Sequence, residues 1–67
     1  MKTFDIYFSD NSTSDNKGFN IKTEEKAIRM AEDMLVKKNS YVEEYAGGTI
    51  SVVSSDGEPV WSKPIPK

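Results

Sequence analysis

Thr23-Glu24-Glu25-Lys26-Ala27-Ile28-Arg29-Met30-Ala31-Glu32-Asp33-Met34-Leu35-Val36-Lys37-Lys38 is the stretch on which the fold turns. Ala27, Ile28, Ala31, Met34 and Leu35 recur at the spacing that lines one face of a 3.6-residue helix. Thr23 has an N-cap side chain, and Glu24 and Glu25 complement the positive end of the helix dipole. Glu25–Arg29, Arg29–Asp33 and Asp33–Lys37 are i,i+4 pairs on the opposite face. Lys37 and Lys38 suit the negative end, and Asn39 is a residue that accepts the left-handed stop. The spacing predicts a helix over Glu24–Lys38, amphipathic and in need of an apolar surface to cover.

The flanks supply that surface as strands. Upstream, Phe4, Ile6 and Phe8 alternate with Thr3, Asp5, Tyr7 and Ser9, which is the period of a strand with one apolar face. Asp10–Lys17 is turn chemistry throughout and is expected to be a mobile loop. Gly18–Lys22 alternates again and is expected to close a hairpin with the first strand. Downstream, Ser40–Gly48 reads as a linker pinned by Tyr41, Val42 and Tyr45, broken at Gly47-Gly48. Thr49–Ser54 is β-branched, Asp56-Gly57 is a hairpin signal, and Glu58–Lys63 is the return strand. Pro59 implies that this strand lies at a sheet edge or that its backbone position at 59 faces solvent. The expected architecture is α+β, ββαββ: one antiparallel four-stranded sheet with one helix packed on one face. Residues 1–63 form the domain, and 64–67, with Pro64 and Pro66, an extended tail.

Composition removes several functions. The chain has 67 residues, no Cys, no His and a net charge of −2. Ser-His triads, Cys nucleophiles and zinc sites built on Cys or His are excluded. The nine Lys and Arg are dispersed, which disfavours nucleic acid as a partner, because phosphate recognition draws on a basic face. Met1-Lys2-Thr3-Phe4-Asp5 lacks the apolar run of a signal peptide, and no run is long enough to span a bilayer. A cytoplasmic location without membrane association is expected.

The remaining motifs are structural. Glu24/Glu25 and Glu43/Glu44 are adjacent in sequence, so on a helix or a strand their carboxylates diverge. A calcium loop starting at Asp10 needs Gly at its sixth place and Glu at its twelfth, where Asp15 and Ile21 stand. Asn11-Ser12-Thr13 fits a glycosylation sequon, which a chain without a leader does not present to the machinery. Gly47-Gly48-Thr49 lacks the Lys and spacing of a phosphate loop. No catalytic residue, cofactor or metal is assigned.

The sheet face turned away from the helix is the candidate site. Alternation puts Tyr7 there, opposite in direction to Phe4, Ile6 and Phe8. The second hairpin has two possible turns. A two-residue Asp56-Gly57 loop pairs Val53 with Val60 and Val52 with Trp61. A three-residue Ser55-Asp56-Gly57 loop, with Gly57 left-handed, pairs Val52 with Val60 and Ser51 with Trp61. The second is preferred, since it gathers Ile50, Val52 and Val60 on one apolar face. It leaves Tyr7, Val53 and Trp61 together on the other as a partner-binding patch, the alternative being that Trp61 covers the edge of the core.

The Thr-Glu-Glu-Lys-Ala-Ile helix start and the Gly-Gly-Thr-Ile-Ser-Val-Val-x-x-Asp-Gly-Glu hairpin resemble those of many short bacterial and phage proteins. The resemblance implies a bacterial or mobile-element origin and carries over no functional residue. The function expected is that of a small non-enzymatic protein-binding module, in the manner of a phage or mobile-element inhibitor of a host protein. The alternatives are a subunit that homodimerises through its sheet, or a weak binder of single-stranded nucleic acid stacking bases on Tyr7 and Trp61.

Overall fold

The computed structural model describes residues 2–67. Six elements follow along them: β1 (Phe4–Ser9), β2 (Ser14–Asn16), α1 (Glu24–Lys37), α2 (Ser40–Glu44), β3 (Thr49–Ser54) and β4 (Pro59–Pro64). The strands form one antiparallel sheet in the order β2-β1-β3-β4, and α1 packs across one face. This is the expected ββαββ architecture, with a short second helix added.

The central pair, β1 and β3, runs from Phe4 opposite Ser54 to Ser9 opposite Thr49. Alternation turns Phe4, Ile6 and Phe8 of β1 and Ile50 and Val52 of β3 toward α1, and all five are buried. Each such side chain, fully enclosed, contributes roughly 1.5–3 kcal/mol. Ala27 and Ala31 are the fully buried residues of α1, so its axis approaches the sheet closely. Ile28, Met34 and Leu35 pack at the margins, joined by Met30, which the stripe had not included.

Thr23 caps α1 as expected, its Oγ1 accepting from the Lys26 N–H at 3.2 Å. The left-handed stop falls one residue early, on Lys38 at φ 51°. Asn39 instead caps α2, its Oδ1 accepting from the Val42 N–H at 2.9 Å. The segment expected as a linker is therefore partly helical, and it buries Val42 and Tyr45 against the end of the sheet.

The second strand differs from expectation. Gly18–Lys22 contributes only a single bridge, Ile21 to Phe4, while β2 lies within the segment expected to be a loop. The loop proper is Asp10–Thr13, where the Asp10 carboxylate accepts from the Ser12 and Thr13 N–H groups at 2.9 and 2.8 Å. Those bonds hold the Asp10 carboxyl below its ordinary pKa, the backbone N–H of Ser12 most of all.

The C-terminal segment also differs from an extended tail. Pro64 closes β4 opposite Thr49. Ile65 is buried, donates its N–H to Gly48 O at 2.8 Å and accepts from Gly47 N at 3.0 Å. Gly48 is required here, since a Cβ would stand 2.1 Å from the carbonyl oxygen of Ser9.

Candidate functional site

The face opposite α1 carries Tyr7 at its middle, flanked by Asn16 on β2 and Ser51 on β3. Tyr7 is 37% exposed. Val53 shares this face, opposite Asp5 on β1 and Pro59 on β4, and is half-buried. Two of the three expected site residues are thus brought together.

Trp61 is not with them. Its register partner is Val52, whose side chain is enclosed beneath α1, and Trp61 packs against the core from that side. The Lys63 ammonium lies 5.9 Å from the indole ring and 3.8 Å from Glu32 of α1, in keeping with the helix-side orientation of Trp61 and Lys63. The loop is the three-residue one preferred from sequence: Ser54 N–H donates to Glu58 O, Gly57 N–H to Ser54 O, and Gly57 is left-handed at φ 87°. Val53 then pairs with Pro59, but Val52 pairs with Trp61, so Val60 is an extra residue on β4. This bulge cancels the register that the loop had set. Pro59 is its sequence signal, because a residue without an N–H cannot carry the ladder past that point.

Phe19, which sequence reasoning passed over, completes the site. A shallow depression of about 230 Å³ is walled by Thr3, Asp5, Tyr7, Phe19, Val53 and Gly57. Asp5 organises it. One carboxylate oxygen accepts from the N–H groups of Ile6 and Phe19 at 2.8 and 2.9 Å, the other from Gly18 N and Asn16 Nδ2 at 3.0 and 2.7 Å. The side chain stands in for the ladder bonds to β1 that residues 18–20 do not make, and Gly18 at φ 76° permits the turn. With its lone pairs occupied, Asp5 presents little acceptor capacity to a ligand. The other strand positions on this face are Ser9, Ser14, Asn16, Thr49, Ser51, Ser62 and prolines. Apart from the hydrogen-bonded Asp5 carboxylate, the strand positions of this face are uncharged and rich in hydroxyls around one tyrosine.

A second aromatic cluster lies at the α2 end of the sheet. Phe8 stacks with Tyr45 at 5.8 Å and tilts against Tyr41 at 5.9 Å. The Lys17 ammonium sits 3.4 Å from the centre of the Tyr41 ring and 3.0 Å from Asp15. Partial burial pulls its pKa down, but the bond and charge of Asp15 outweigh that and hold it above the ordinary lysine value. The paired glutamates, Glu24/Glu25 and Glu43/Glu44, are exposed on separate helices. Among the described residues no three His, Cys, Asp or Glu side chains gather as a metal site, and no helix is long and apolar enough to cross a membrane.

The sequence matches no protein-family model, and no curated protein or solved structure matches it.

Proposed function

We propose that this chain is a small, non-catalytic, cytoplasmic protein-binding module that engages its partner with the open sheet face, Tyr7 and Val53 at the centre. The observation that carries the reading is the character of that face. In a chain whose charged residues are 30% of the total, this surface presents one carboxylate, already fully hydrogen-bonded. Interface cores are depleted in charge, and tyrosine is enriched among the residues that dominate binding energy. Such a module suits a regulator or inhibitor that acts by covering a partner's surface.

Two other uses of the sheet have less support. Pairing through the edges meets a three-residue β2 on one side and a bulged β4 ending in prolines on the other, both devices that discourage strand addition. Stacking bases on Tyr7 and Trp61 together requires one surface, and they lie on opposite faces.

The test is capture of a partner from a cytoplasmic lysate by the immobilised chain, followed by affinity measurement with Tyr7→Ala. The expected loss is about thirtyfold, the size of a tyrosine hot spot, with an unchanged melting temperature. A partner held equally well by Tyr7→Ala sinks the proposal.

A further inference from the structure

Lys22, Lys26, Lys38 and Lys67 make no ion pair among the described residues, while the other five cations do. The four divide between two apolar grooves beside α1. Lys38 and Lys67 line one, near the helix end, together with Leu35 and Val42, and Glu43 offers them a counter-charge. Lys22 and Lys26 line the other, a groove of about 460 Å³ between α1 and the segment that bridges to β1. Its apolar walls are Phe19, Ile21 and Met30, with Thr23 beside them, and no carboxylate lines it. The acids nearest in sequence, Glu24 and Glu25, lie outside the lining, and Glu25 is paired with Arg29. The molecule as a whole is acidic, so this is a local reversal of charge beside exposed apolar surface.

We propose that this groove binds an acidic peptide segment of a protein partner, one that carries a single large apolar side chain between carboxylates. The apolar chain packs on Phe19, Ile21 and Met30, and the carboxylates meet the two ammonium groups. The volume lies in the range of pockets that enclose such a group, roughly 300–1,000 Å³. A nucleic-acid strand calls for a continuous cationic track and stacked aromatic platforms, whereas here two cations rim largely aliphatic walls. The groove is on the helix side of the sheet, and the inference does not rest on the use of Tyr7. Phe19 borders both surfaces, so the test avoids it.

A randomised peptide library is selected against the immobilised protein. The expected consensus places Asp or Glu around a Phe, Leu or Met. A peptide of that consensus should bind less tightly as salt rises. The double variant Lys22→Glu, Lys26→Glu, exposed on both side chains and checked by thermal melt, should weaken it at least about tenfold. Tyr7→Ala should leave it unchanged. A failure to enrich any sequence, a neutral or basic consensus, or binding that survives the charge reversal overturns the proposal. So does oligothymidylate bound with the same dependence on Lys22 and Lys26. Peptide binding lost with Tyr7→Ala but kept by the lysine variant overturns the groove and leaves the sheet-face reading standing.

Discussion

The two hairpins have the same topology and are held by different means. The first, β1 with β2, joins a half-apolar strand to Ser14-Asp15-Asn16, which buries nothing. Two carboxylates maintain it, Asp10 in the turn and Asp5 across the following loop. The second, β3 with β4, is held by a longer ladder, by Ile50 and Val52 in the core and by Trp61 packed beside them. Side-chain acceptors can substitute for burial at one end of a small sheet, but they make that end sensitive to single polar changes and to acid.

The largest expected effect removes the join between the hairpins. Gly48→Ala forces a methyl onto the Ser9 backbone carbonyl, where the strands meet and cannot part without breaking the ladder. The cost should be on the order of 4 kcal/mol or more, enough to abolish a cooperative melt in so small a domain. A melt within a few degrees of the parent would show that the strand ends can separate.

Trp61→Ala should damage the second hairpin by about 2 kcal/mol, below the 3–5 of a wholly enclosed tryptophan because the indole is only partly buried. Calorimetry measures this directly. A change near zero would place the indole outside the packing that distinguishes this hairpin from the first.

Asp5→Ala should cost about 1–3 kcal/mol, the penalty for unpaired N–H groups. Its signature is local: amide exchange should accelerate at Gly18 and Phe19 and remain slow in β3. Uniform acceleration would mean that the two hairpins open together.

The smallest effect is in pH. The Asp10 carboxyl has a folded pKa below the ordinary 3.8, so its stabilisation is complete above the unfolded value and is lost as pH falls through the folded one. Titration below about pH 4 should move the Ser12 and Thr13 amide resonances as the carboxylate that accepts from them is protonated. Asp10→Asn should remove that transition. Ser12 and Thr13 amides that move identically in Asp10→Asn would show that another group holds this turn.

The legible parts of the sequence are those where burial dictates period. The α1 stripe, the Phe4-Ile6-Phe8 alternation and the β-branched run of β3 each announce one apolar face. β2 has no apolar residue, so only pairing with β1 defines it, and pairing leaves no periodic trace. Ile65 stands between prolines that mark a ladder's end, yet its burial depends on Gly47 and Gly48 arriving from elsewhere. For the candidate site, the outward direction of Tyr7 follows from β1 alone. Trp61 required two local irregularities to be read together, the left-handed Gly57 and the extra Val60, whose effects on register cancel.

The pairing of β1 with β3 has a kinetic consequence. Phe4 and Ser54 are neighbours across the sheet but stand at nearly opposite ends of the chain, with α1 and α2 both inside the loop they close. The entropy of that closure must be met before either strand gains its central partner. The transition state for folding therefore has to contain this non-local contact, while the β3–β4 turn and α1 can form ahead of it from local interactions alone. A domain this short can thus fold over milliseconds rather than microseconds, its rate set by the meeting of its two ends.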